Sequence, residues 1–157
     1  MKFIPLTKGK FTIVDDKNYE WLNQWKWQID SDGYAVRSVS IKEEYKGNKK
    51  RMHRVIMNTP EGMETDHING NRLDNRRQNL RICTRAENVR NCKKHRDNHS
   101  GYKGVYWNKR EKKWRASIRI GKQDIHLGYF KSTIEAARAY NKKAKKLFGK
   151  FARINKT

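Results

Sequence analysis

Apolar positions along this chain come in short runs, and each change of period marks a predicted element. Residues 11–14 (Phe-Thr-Ile-Val) read as a strand, with Asp15 and Asp16 as a turn or cap. Tyr19, Trp21, Leu22 and Trp25 place a short helix over 18–25. Residues 27–39 read as a hairpin, because Asp30-Ser-Asp-Gly33 has turn chemistry between two apolar runs. The charged stretch 42–51 reads as a loop or hairpin tip. His53 to Met57 reads as one helical turn, ended by Asn58-Thr-Pro60.

The middle of the chain has another rhythm. Residues 63–66 and 80–83 read as strands, separated by a polar connection over 68–78. Thr84 and Glu87 have the spacing of a capping box, so a helix should run from Arg85 to about Lys94. A polar linker follows over 95–100. Beyond it, residues 104–108, 114–120 and 125–130 predict three strands. Trp114, Ala116, Ile118 and Ile120 alternate with Arg115, Ser117 and Arg119, giving one apolar and one basic face. Ser132 and Glu135 form a second capping box, opening a helix with Ala136, Tyr140, Ala144, Leu147 and Phe148 at helical spacing. Gly149 is a C-terminal stop. The fold class is therefore α+β. A small α/β segment (1–60) precedes a strand–loop–strand–helix unit (61–98), and a three-stranded antiparallel sheet packed on one helix follows (99–157).

Charge sharpens this picture. The chain of 157 residues has 38 Lys and Arg against 16 acids, a net +22. Residues 101–157 alone carry 17 basic against 3 acidic residues. A polyanionic partner is the simplest account, and the expected one is double-stranded DNA. No stretch approaches the ~18 apolar residues of a spanning helix, and residues 1–10 lack a signal-peptide apolar region, so no membrane partner is expected. With 35% apolar residues, small cores built on aromatic anchors are expected. Cys83 and Cys92 form no disulfide framework and suit a reducing cytoplasm. With His95 and His99 they are spaced C-x8-C-x2-H-x3-H, without the tight knuckle of structural zinc sites.

The densest chemistry lies between Asp66 and Asn88, in DHINGNRLDNRRQNLRICTRAEN. If the connection folds back, Asp66 and Asn88 can meet as oxygen ligands of a hard divalent cation, which needs only one or two protein carboxylates. His67 can then take a proton from water, since imidazole has an ordinary pKa near ~6.5. Arg76, Arg77 and Arg81 are candidates for flanking phosphates. For His53, packing or a phosphate contact is expected; His95, His99 and His126 show no partner pattern.

The pattern D-H-x-N-G-N…N-L-R…T-x-x-E-N resembles the HNH endonucleases of phages and introns over about thirty residues. The resemblance implies a ββα-metal core, with His67 as general base and Asn79 fixing the loop. Asp66 and Asn88 would be the metal ligands, for one Mg²⁺ or Mn²⁺ per site. Many members have His where this chain has Asn88, a conservative change of ligand. The run I-P-L-T-K-G-K…V-D-D…Y-E-W-L and the His53-Arg54 pair also resemble such phage proteins. Residues 100–155 resemble the APETALA2/ethylene-response-factor DNA-binding domain through S-G-Y-K-G-V-Y-W, K-W-R-A-S-I-R, H-L-G-Y-F and T-I-E-A-A-R-A-Y. By that resemblance Lys103, Tyr106, Asn108, Arg115, Arg119 and His126 would contact DNA. Tyr106-Trp107-Asn108 and His126 depart from the family, so its base preference does not transfer. The expectation is a phage-type or homing DNA endonuclease, cytoplasmic in a bacterial cell and monomeric. The alternative is a non-catalytic DNA-binding regulator on a decayed nuclease scaffold.

Overall fold

A computed structural model describes residues 1–39, 49–92, 94 and 97–157. Two compact units divide the chain, 1–88 and 89–157. The break expected near residue 60 does not separate units, because elements on either side of it share one core.

In the first unit, β1 (Lys2–Pro5) and β2 (Phe11–Val14) form an antiparallel ribbon. The sequence pattern did not predict β1, whose closing Pro5 argues against a strand. Helix α1 spans Asp16–Leu22, three residues short of the expected end. It stops there because the Leu22 carbonyl accepts from Trp27 Nε1 at 2.8 Å, which satisfies a helix-end acceptor. Trp25 lies beyond the helix and packs edge-on against Trp21 and Trp27.

The expected hairpin forms as β3 (Gln28–Ile29) and β4 (Ala35–Ser38), with Asp30 Oδ1 accepting the Tyr34 N–H at 2.8 Å. Strand β5 (Lys49–Arg51) adds to β4. The rest of the charged loop, 42–48, lies outside the described residues, as does His95 of the polar linker. Helix α2 (Met52–Met57) ends on a left-handed Asn58. Then β6 (Glu64–His67) pairs antiparallel with β7 (Leu80–Cys83), and α3 (Arg85–Asn91) follows. Ile4, Val14, Leu22, Trp27, Met52, Ile56 and Leu80 close over one another as the core.

In the second unit, β8 (Val105–Asn108), β9 (Lys113–Ile120) and β10 (Gln123–Phe130) form an antiparallel sheet with β9 in the middle and a bulge near Leu127. Helix α4 (Thr133–Phe148) starts at its capping box, with Ser132 Oγ accepting the Glu135 N–H at 3.2 Å, and stops at Gly149. Ala136, Ala137 and Ala144 let it lie close on the sheet. Gly104 (φ +75°) allows the same closeness: a Cβ there would overlap the Tyr140 ring and come within 2.6 Å of the Ser117 carbonyl.

Candidate active site

Strand β6 sends alternate side chains to opposite faces. Asp66 and Glu64 share one face; His67 and Thr65 share the other. The register pairs Asp66 with Arg81. Asp66 Oδ2 accepts from Arg81 Nε at 2.9 Å and from the terminal nitrogen at 2.6 Å. Arg81 is thus tied to the expected ligand, and was expected instead on phosphate. The box at Thr84 starts α3, with the Thr84 N–H donating to Glu87 Oε2 at 2.8 Å. That start brings Asn88 over the same face, where its Nδ2 donates to Glu64 Oε2 at 2.6 Å. Glu64, which the sequence pattern did not mark, therefore holds the carboxamide by its nitrogen.

The donors here are carboxylate and carboxamide oxygens, which fit a hard divalent cation. Among the described residues, no three His, Cys, Asp or Glu side chains gather as a metal-holding group. Cys83, opposite Glu64, is buried. Burial, with the Asp66 and Glu64 charges behind it, pushes its thiol up to about 11.

On the other face, His67 is 4% exposed. Its Nε2 lies 3.1 Å from Asn75 Oδ1. His53 packs edge-on against it at 4.9 Å, and Tyr34 contacts both rings. Burial lowers the His67 pKa, opposed by the Asn75 hydrogen bond and the Asp66 and Asp74 charges. His53 is pushed down to about 2, first by burial and then by the His67, Arg51 and Arg54 charges. Both imidazoles are therefore neutral near pH 7. Arg51 and Arg72 stand over the Tyr34 ring, at 4.6 and 4.7 Å. Neither stands out in the sequence, because only the fold brings 34, 51, 53, 67 and 72 together.

Asn79 ties the loop after β6. It accepts the Asn69 N–H at 3.0 Å and donates to Asn69 Oδ1 and the Asp74 carbonyl at 3.1 and 2.8 Å. Arg76 grips Asp74 with two 2.7 Å bonds, holding that carboxyl below its usual range. Arg77 donates to the Ile56 carbonyl at 3.3 Å. Arg76, Arg77 and Arg81, expected on phosphate, thus also make bonds within the protein.

In the second unit, one face of the sheet carries Tyr106, Arg115, Arg119 and His126. Arg115 donates to Asp124 Oδ2 at 2.9 Å and to His126 Nδ1 at 3.2 Å, and lies over the Tyr106 ring. Ser117 links Tyr106 and Asp124 at 2.7 and 3.0 Å. Asn108 turns to the β8–β9 turn and accepts the Glu111 N–H at 2.9 Å. Lys103, expected on DNA, is held within the protein. Its Nζ donates to the Arg90 and Cys92 carbonyls, both at 2.8 Å, satisfying the end of α3, and burial lowers its pKa. That is also why α3 stops at Asn91 and not near residue 94.

The candidate site is thus a paired strand carrying Asp-His, a tied loop, a second strand and a capped helix bearing Asn88, and the comparisons with known proteins place it in a nuclease domain. The HNH endonuclease family model matches residues 50–90. An uncharacterized HNH endonuclease of Acanthamoeba polyphaga mimivirus is 29% identical over 155 residues, covering 95% of this chain and 76% of that one. Protein 3.8 of Escherichia phage T7 is 36% identical over 96 residues, covering 60% of this chain and 78% of that protein. Residues 50–90 thus carry an HNH endonuclease domain, and the chain is an enzyme. No solved structure matches it. Among the described residues, no helix is long and apolar enough to cross a membrane.

Proposed function

We propose that this protein is a divalent-metal-dependent endonuclease that hydrolyses phosphodiester bonds in double-stranded DNA. The observation that carries the reading is the two-faced strand β6. It presents Asp66 toward the Asn88 helix and a neutral His67 on the other side, at the start of a loop tied by Asn79. Asp66 and Asn88 would hold one Mg²⁺ or Mn²⁺, in a ββα-metal arrangement. A cation held there would offset the negative charge that develops on the phosphate and the leaving 3′-oxygen. His67 accepts the proton of the attacking water, and burial keeps it in the base form. Arg51 and Arg72, beside Tyr34, supply positive charge for the phosphate together with Arg76, Arg77 and Arg81.

The second unit locates the site as an APETALA2-type module. Its basic sheet face enters the major groove with Arg115, Arg119, Tyr106 and His126, and Asn108 lies at the edge. Asp124 and His126 hold the Arg115 fork in place before DNA arrives. The viral relatives favour a phage or mobile-element gene.

The test is supercoiled plasmid with Mg²⁺. The native enzyme should leave 5′-phosphate ends, and His67→Ala should cut at least about 100-fold more slowly while still shifting DNA in a gel. Undiminished cutting by that variant would rule out His67 as the base.

A further inference from the structure

Which nitrogen of His67 carries its proton is set by a chain of buried hydrogen bonds that begins on the first ribbon of the fold. Thr12, wholly buried on β2, donates its hydroxyl to the Leu73 carbonyl at 2.9 Å. A threonine hydroxyl has one proton, so with that proton on Leu73 its oxygen only accepts. The group 2.7 Å away is Asn75 Nδ2, which donates to it. Asn75 is itself wholly buried, and its backbone N–H is fixed on the Ile13 carbonyl at 2.8 Å. Its amide therefore has one orientation, with Oδ1 toward His67 Nε2 at 3.1 Å. An amide oxygen can only accept, so Nε2 bears the hydrogen and the lone pair lies on Nδ1.

We propose that Thr12 and Asn75 are positioning residues that lock His67 as its Nε2–H tautomer and so make Nδ1 the nitrogen that takes the proton from water. The proposal rests on the reading of His67 as general base. Neither residue touches substrate. Thr12 acts through Asn75, and Asn75 through the imidazole, as outer partners of ligating histidines do. Asn79, the Asn singled out by the motif, acts elsewhere and ties the loop to Asn69 and Asp74.

The experiment is long-range ¹H–¹⁵N correlation NMR of the full chain with labelled histidine, at mildly alkaline pH, alongside steady-state cleavage of plasmid. In the native protein the His67 signals should be those of a single tautomer, with N–H at Nε2. Thr12→Val keeps the shape but removes the acceptor for the Asn75 amide nitrogen. It should add a second set of signals with the proton on Nδ1, and lower kcat by about 10- to 100-fold with KM for DNA unchanged. Thr12→Ser, which restores the hydroxyl, should restore the single tautomer. Asn75→Asp, whose carboxylate can only accept from the ring, should also show one Nε2–H tautomer, and gives the same reading if the valine variant does not fold. A native tautomer in Thr12→Val, or a proton on Nδ1 in Asn75→Asp, would overturn the lock. A mixed tautomer with unchanged kcat would leave the lock standing and overturn the role of His67 as base.

Discussion

The two units differ in how much polar material they bury. Residues 1–88 enclose Thr12, His53, Asp66, His67, Asp74, Asn75 and Asn79 beside an aliphatic and tryptophan core. Residues 89–157 enclose alanines, Ile118, Tyr140 and Phe148, and keep most of their charge outside. A buried polar network is rigid and strong when every member is paired, and costly when one is lost. An exposed cationic face works at longer range and weakens with salt. Chemistry at a phosphorus atom needs the first kind of surface; holding a polyanion needs the second.

The sharpest way to break the contrast is Asn79→Leu. It unpairs the Asn69 N–H and the Asp74 carbonyl around the buried Asn79 side chain, and should destabilise the first unit by about 2–4 kcal/mol in urea unfolding. A loss under about 1 kcal/mol would mean that water replaces those bonds.

Acid should act next. The folded-state pKa of His53 lies below its unfolded value of 6.5, at about 2, so the unfolded chain binds the extra proton and stability rises with pH. The stabilisation is complete above the unfolded value and is lost progressively as pH falls below it, at about 1.4 kcal/mol per pH unit. Thermal melts at pH 7 and pH 5 should therefore differ by about 2 kcal/mol through this residue, and His53→Phe should remove that share.

The second unit should respond more mildly. Ser132→Ala breaks the capping box of α4 and should cost about 1 kcal/mol. Smallest in stability is Arg119→Ala, which should change unfolding by less than about 0.5 kcal/mol. In DNA titrations it should lower the slope of log K against log salt by about 1. An unchanged slope would remove Arg119 from the DNA contact.

What could be read from the sequence was mostly local. Both capping boxes, at Thr84 and Ser132, follow from residues three apart. The sheet of the second unit follows from alternation along β9. Asp66 and His67 were legible as a pair because strand alternation sends neighbours to different faces. The partners of these groups were not. Arg81 meets Asp66 through a strand register that no spacing in the chain announces. Glu64 looked like an ordinary charged strand residue until α3 laid Asn88 against it. Lys103 carries the charge of a DNA contact, but its amine ends on carbonyls of a preceding helix end. Thr12 lies 63 residues from Asn75 and had no signature beyond a small polar residue in an apolar strand.

That separation also bears on synthesis. Contacts between distant parts of a chain form late, after the entropy of closing the loop between them has been overcome. Thr12 leaves the ribosome early and must wait for Asn75 and Leu73 to emerge before its two hydrogen bonds can form. A nascent chain ending before residue 75 has no means of orienting an imidazole. One that contains the 50–90 motif without the first ribbon would carry the family's residues without a committed tautomer. On the proposed lock, the enzyme reaches its full rate only when its earliest and middle segments have met.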